Sequence, residues 1–311
     1  FTSGDISTNM LHMMYGVFFN KDLLEQFGSE PDAPYQLVQD MNWTLRQMIK
    51  MCENAYEDLP GTPAGKDYND QFGFVSTNIN YDGWYTCSGL KTIVVTDTGF
   101  VVSDDFLSDK AQALSEKVTA MFQSDYAYGG TASSSTGFYP TNVFGQKRAM
   151  FLMDRVYVAS GVRLLPVIAE LNYGVVPCPL YDAKQESYVT LLGFPYTLYS
   201  ISATSLNPEN AAAVIECLGS EGYRKVTPEL FETVMKVKYA DDEVTSEMYD
   251  IIKNNVYIDA GRIFATPLQK LTYTVFRNSI SSGTSYIARA VTSKTTIEVL
   301  LRDINAKFYA D

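Results

Sequence analysis

The stretch that decides the fold is Gly16-Val17-Phe18-Phe19-Asn20-Lys21-Asp22-Leu23-Leu24-Glu25-Gln26-Phe27-Gly28, followed by Met41-Asn42-Trp43-Thr44-Leu45-Arg46-Gln47-Met48-Ile49. In the first piece a short apolar run passes straight into a helical pattern that stops at a glycine. Such a run, bounded by polar residues, reads as a buried strand, and glycine is a common helix terminator. In the second piece Thr44 and Gln47 stand at capping-box spacing. Leu45, Met48, Ile49 and Cys52 form the apolar stripe behind them. Trp43 reads as the anchor of this helix to the core.

Further along, strands and helices keep alternating, which is the pattern of an α/β protein. Gln71 to Ser76 reads as a strand, and Tyr81-Asp82-Gly83-Trp84 opens the next segment as a loop. Thr92 to Val102 has two β-branched runs around Thr96-Asp97-Thr98-Gly99, a hairpin pattern. Ser108 caps a helix with apolar Ala111, Leu114, Val118, Met121 and Phe122. Tyr126 to Gly137, rich in Gly, Ser and Thr, predicts a mobile loop. Ala149 to Met153 and Tyr173 to Cys178 read as strands, and Val189 to Ala203 as an extended segment. Helices are predicted from Pro208 through Leu218, over Pro228 to Lys238, over Ser246 to Asn254, over Leu271 to Ile280 and over Thr295 to Phe308. No internal repeat is present.

Composition narrows the function. With 311 residues and 46% hydrophobic content, the chain has enough apolar mass for large cores. Its net charge of −12 argues against nucleic acid and against anionic lipid. The 22 tyrosines and 17 phenylalanines supply ring faces of the kind that pack on sugars, although a Tyr-rich core accounts for them equally. Cys52, Cys87, Cys178 and Cys217 lie far apart without metal-site spacing and read as buried free thiols, with one disulfide left open. A single histidine, His12, cannot build a His-based triad or a His-rich metal site. GxGxxG after a strand, the Walker loop, HExxH and GxSxG are all absent, so the sequence points to no cofactor, no metal and no catalytic group. The pairs Asp104-Asp105 and Asp241-Asp242 read as solvated turns and caps, because a glycosidase needs carboxylates that face each other across the sugar.

Asn20-Lys21-Asp22-Leu23-Leu24 and Trp43-Thr44, then Phe144 to Met150 and Gly174 to Pro179 in the same order, together resemble the extracellular solute-binding proteins of family 1. These are the maltose-binding-protein-like proteins that serve sugar ABC importers. The family places a second aromatic after Trp43-Thr44, where this chain has Leu45. The resemblance implies an α/β, periplasmic-binding-protein-like (type II) two-lobe fold with mixed sheets flanked by helices. The family's opening passage lies well inside its chains, so much of the amino-terminal lobe is expected to be missing. A carboxy-terminal lobe is expected from residues 16–198 plus 262–311, and a remnant of the other lobe from 1–15 plus 199–261. Residues 199 to 258 are then expected to expose apolar surface, and the isolated chain to bind sugar weakly or not at all.

The implied function is that of a substrate-binding component of an ABC importer, closing two lobes on a sugar or oligosaccharide without covalent chemistry. Its partner would be a membrane permease. Its place would be extracellular, as a cell-surface lipoprotein or in the periplasm, with the signal peptide outside this chain. A carbohydrate-active enzyme and a binding protein for peptides or other solutes stay open as alternatives.

Candidate ligand-binding residues lie near strand ends, where an α/β lobe meets its cleft. Tyr81, Asp82 and Trp84 follow the Gln71 to Ser76 strand and either line the cleft or pack structurally. Asp154, Arg155 and Tyr157 follow the Ala149 to Met153 strand. They offer a ring and a charged pair, or else a pair fixed by local hydrogen bonds. Tyr196, in Phe194-Pro195-Tyr196, lies where the resemblance implies a crossing between lobes, as cleft floor or as hinge stiffener. Tyr273 and Arg277 are one helical turn apart and share a face; the resemblance implies that an aromatic and an Arg of this helix reach the ligand, and a core Tyr beside a surface Arg is the alternative.

Overall fold

Phe18 and Phe19 are both fully buried, yet they belong to two different apolar clusters, because neighbouring strand residues point to opposite faces of a sheet. A strand buried on both faces must lie inside a covered sheet, and the computed structural model shows that sheet. The structure describes residues 2–60, 65–132, 139–160, 171–231 and 243–308. Its strands are β1 (Tyr15–Asn20), β2 (Phe72–Thr77), β3 (Ile93–Thr96), β4 (Gly99–Val102), β5 (Ala127–Gly130), β6 (Ala149–Arg155), β7 (Tyr173–Val176), β8 (Thr190–Leu191) and β9 (Val256–Tyr257). The main sheet has the order β5-β2-β6-β1-β7. β2 runs parallel to β5 and β6, whereas β1 is antiparallel to both β6 and β7. The carboxyl ends of β2, β5, β6 and β7 therefore meet the start of β1 at one edge of the sheet. At that edge Tyr15 stands opposite Arg155, and Gly16 opposite Asp154.

The local signals read from the sequence are satisfied by specific bonds. The Asn20 side chain accepts from the backbone N–H groups of Asp22 and Leu23, so β1 turns into the Lys21–Gln26 helix without a loop. Thr44 accepts from Gln47 N at 3.3 Å, and Ser108 from Ala111 N at 3.1 Å. Trp43 is buried and its indole N–H donates to the Pro177 carbonyl at 2.8 Å, which ties the Leu45–Cys52 helix to the end of β7. β3 and β4 form the expected hairpin, with Thr96 opposite Gly99.

Four expectations need correction. Tyr81 to Trp84 is not a loop but the start of a buried Tyr81–Cys87 helix. The first part of Tyr126 to Gly137 is β5, an edge strand paired with β2, while residues 133–138 lie outside the described residues. Its glycine has a packing role, because a Cβ at Gly129 would meet the Tyr81 hydroxyl and the Phe122 ring. Of Val189 to Ala203 only Thr190 and Leu191 form a strand, β8, which pairs in parallel with β9. Cys217 is exposed on a helix, whereas Cys52, Cys87 and Cys178 are buried; all four are free.

The segment from 199 to 258 divides. The Pro208–Glu221 helix has no buried residue, and Val214 and Leu218 are 58% and 53% exposed. The Glu243–Asn254 helix instead buries Met248, Tyr249 and Ile252 beside β7, so its apolar stripe is covered. The predicted Pro228 to Lys238 helix falls largely at 232–242, outside the described residues.

Gly73 shows how closely the first layer packs. A Cβ there would lie 2.6 Å from both the Cβ and the carbonyl oxygen of Cys52, and 2.7 Å from its Cα. Backbone cannot step aside as a side chain can. Gly73→Ala is expected to destabilise the protein by about 1–3 kcal/mol. Gly130→Ala, with nothing within 4 Å of the added carbon, serves as the comparison. Urea midpoints decide the matter, and equal midpoints for the two variants would refute this account of the packing.

Candidate functional site

The edge where β6 ends and β1 begins is built from polar groups under a rim of half-buried rings. Tyr15 is buried and donates its hydroxyl to Asn80 Oδ1 at 3.0 Å. The Asn80 amide donates to the Met153 carbonyl at 3.1 Å and to Ser76 Oγ at 3.3 Å. Burial pushes the Tyr15 phenol well up, with help from the Asp82 and Asp154 charges, so it serves as a neutral hydrogen-bonding group.

Asp82 is the centre of the edge. Its buried carboxylate accepts from Arg262 Nη1 at 2.8 Å and from Arg277 Nε and Nη2, each at 2.9 Å. Arg277 Nη2 also donates to the Ile79 carbonyl at 3.2 Å. One carboxylate thus joins three elements: the Tyr81–Cys87 helix, the short Ala260–Ile263 helix and the Leu271–Ser282 helix. Arg262 is positioned by its own turn, in which Asp259 accepts from Gly261 N at 2.7 Å and from Thr92 N at 2.7 Å. Burial pushes the Asp259 carboxyl up, while the bonds from Thr92 and Gly261 pull it back.

A second acid–base pair stands at the end of β6. Asp154 Oδ1 accepts from the Arg155 backbone N at 2.7 Å and from its Nε at 3.1 Å, and Arg155 Nη1 donates to the Phe194 carbonyl at 3.0 Å. Burial raises Asp154 above the usual carboxylate range, and the charge and hydrogen bonds of Arg155 offset part of that rise.

Half-buried rings lie over these cations. The Phe194 and Tyr196 rings stack at 5.7 Å and 7°, and Tyr273 sits 5.8 Å from Phe194. The Arg262 guanidinium lies 4.2 Å from the Phe194 ring centre, Arg277 lies 4.8 Å from Tyr273, and Arg155 lies 4.9 Å from Tyr157. Burial also pushes the Tyr196 hydroxyl up, with Arg262 opposing and Asp259 adding to the shift.

Of the residues singled out in the sequence, Asp82, Asp154, Arg155, Tyr157, Tyr196, Tyr273 and Arg277 are linked by these contacts into one group. Tyr81 and Trp84 are not part of it. They are i,i+3 neighbours on the helix face turned to the core, where Trp84 packs 5.6 Å from Phe74 and Tyr81 packs 4.5 Å from Phe122. Asp82 is one residue on from Tyr81, about 100° round the helix and on the side away from Trp84, and so it points elsewhere. The reading of the sequence overlooked Tyr15, Asn80 and Arg262. Arg262 did leave a signal, as a basic residue among Ala260, Gly261, Ile263 and Phe264.

The group offers ring faces and N–H donors around neutral phenols. Among the described residues no cluster of three His, Cys, Asp or Glu is placed to hold a metal ion. No described helix is long and apolar enough to cross a membrane. Removing Asp82 leaves two guanidinium groups without their shared counter-charge, one of them fully buried. Asp82→Ala is expected to cost about 3–5 kcal/mol of stability. Equilibrium denaturation in urea measures this, and a loss under about 1 kcal/mol would show that the carboxylate does not hold the three elements together.

The sequence matches no family model and no curated protein. Solved structures do share its fold. UspC of M. tuberculosis superposes with a TM-score of 0.57 at 17% identity, covering 93% of this chain and 73% of that one. Maltose-bound MalE3 of T. maritima gives 0.58 at 15% identity, covering 93% of this chain and 71% of that one. The sugar-binding protein MalE of Xanthomonas citri gives 0.57 at 13% identity, covering 96% of this chain and 71% of that one. The chain therefore has the periplasmic-binding-protein-like fold of these proteins.

Proposed function

We propose that this chain is the sugar-binding component of an ABC importer, taking a sugar or oligosaccharide at the edge formed by β1, β6 and the Leu271–Ser282 helix. The observation that carries the reading is a set of half-buried rings: Tyr157, Phe194 and Tyr273 lie over the guanidinium groups of Arg155, Arg262 and Arg277, and Tyr196 stacks on Phe194. Ring faces give affinity for the C–H faces of pyranoses, and fixed N–H donors select hydroxyl geometry. The shared fold adds weight, since several proteins that have it are described as sugar-binding or were solved with maltose.

The proposal includes a division into lobes at 16–198 plus 262–311 and at 1–15 plus 199–261. β8 and β9, paired side by side, are the crossing strands in this scheme. Closure about them would present the loaded protein to a permease on the outer side of a membrane. No turnover is expected. Asp82, Asp154 and Asp259 are buried, whereas a glycosidase needs two carboxyl groups that reach the sugar from either side of the scissile bond.

A thermal-shift screen of mono- and oligosaccharides tests the reading, with chromatography of the sugar afterwards. A hit at a hundredfold excess over its dissociation constant should add about 2.7 kcal/mol, with the sugar recovered intact. Tyr157→Ala and Tyr273→Ala are each expected to weaken that binding about tenfold, roughly 1.4 kcal/mol for a lost ring face. Unchanged affinity in both variants would remove this edge as the binding surface, and cleavage of the sugar would move the chain to the enzymes.

A further inference from the structure

We infer that the saccharide taken at this edge is acidic, carrying a uronate carboxylate that is met by Arg155, Arg262 and Arg277; the inference rests on the sugar-binding reading above. It comes from counting donors and acceptors. A guanidinium has five N–H groups in a planar fork, and each of these arginines spends only part of its fork on the protein. Arg277 uses Nε and Nη2 on Asp82 and Ile79, and its Nη1 has no partner among the described residues. Arg155 uses Nε and Nη1 on Asp154 and Phe194, and its Nη2 likewise has none. Arg262 gives Nη1 to Asp82, while its Nε is buried and without a hydrogen-bond partner among the described residues, as is the Tyr196 hydroxyl stacked beside it.

The acceptors face the other way. Asp82, Asp154 and Asp259 are all buried and already hold N–H donors, whereas the side chains of Arg155 and Arg277 keep 13% and 19% of their surface. A neutral sugar hydroxyl both donates and accepts, so a site built for it supplies accessible acceptors as well as donors. Beyond its phenol hydroxyls, which both donate and accept, what this edge leaves unspent is N–H donors. A carboxylate, which only accepts when ionised, is the sugar substituent that matches it, and paired guanidinium groups meet it in bidentate fashion. The three arginines are balanced by Asp82, Asp154 and Asp259, so the edge is neutral overall, and what sets it apart is the N–H groups that its arginines leave unspent. The half-buried rings beside them favour a pyranose that carries the carboxylate over a peptide terminus.

The test uses the 311-residue chain with oligogalacturonate and oligoglucuronate, each beside its carboxyl-reduced neutral counterpart, together with short peptides. Ligand-detected NMR reads affinities into the millimolar range. One acidic saccharide is expected to bind at least tenfold more tightly than its reduced form. That ratio should fall towards unity in Arg155→Gln, and in wild type as salt rises from about 0.05 to about 0.5 M. Arg277→Lys, which keeps the charge and loses the fork, should lower the ratio in part, and a native circular dichroism spectrum confirms that it folds. Equal or tighter binding of the reduced sugars overturns the acidic ligand and leaves the sugar-binding reading standing. Peptide binding without saccharide binding overturns both.

Discussion

One buried carboxylate organises the edge of this molecule where β6 ends and β1 begins. Asp82 holds Arg262 and Arg277, which arrive from segments nearly two hundred residues further along the chain, with separations of 180 and 195. A lone buried charge is costly, and two buried cations without an anion more so, so each partner makes the presence of the others necessary. The three helices that carry these residues are fixed relative to one another as a result. The rings of Phe194 and Tyr273 then rest on the guanidinium faces that Asp82 has oriented. Polar groups here set geometry, and the apolar core beneath them supplies the stability.

That core depends on the reversed strand. β1 lies between β6 and β7 and runs against both, so Tyr15 at its start meets Arg155 at the end of β6. Had β1 run with its neighbours, its buried start would lie at the opposite edge from Asp154, Arg155 and Asn80. Phe18 and Phe19 show the cost of covering such a strand, because each must find its own apolar layer. The Leu45–Cys52 helix closes one layer through Trp43 and Gly73, and the Pro140–Gly145 and Glu243–Asn254 helices contribute to the other.

Where sequence reading succeeded, the determining interaction was local. Asn20, Thr44 and Ser108 cap helices within two or three residues of themselves, and the β3–β4 hairpin closes over a short turn. Where it failed, the deciding partner was distant. Tyr81 and Trp84 looked like cleft aromatics because they follow a strand. The helix phase turned them to the core and Asp82 to the edge, and Gly129 on the edge strand makes room for the Tyr81 hydroxyl. Cys217 reads as a buried thiol among apolar neighbours, yet its helix has no residue covered in this structure.

By itself the sequence determined the α/β class and most of the strands and helices. Those follow from periodicity and caps, which act over a few residues. Only the tertiary structure decided which side chains are spent on one another and which remain free. Asp82 paired with two arginines, and Arg262 and Tyr15 emerged as members of the group. Those outcomes depend on segments remote in the chain meeting at a chosen angle and register, and no local pattern encodes that meeting.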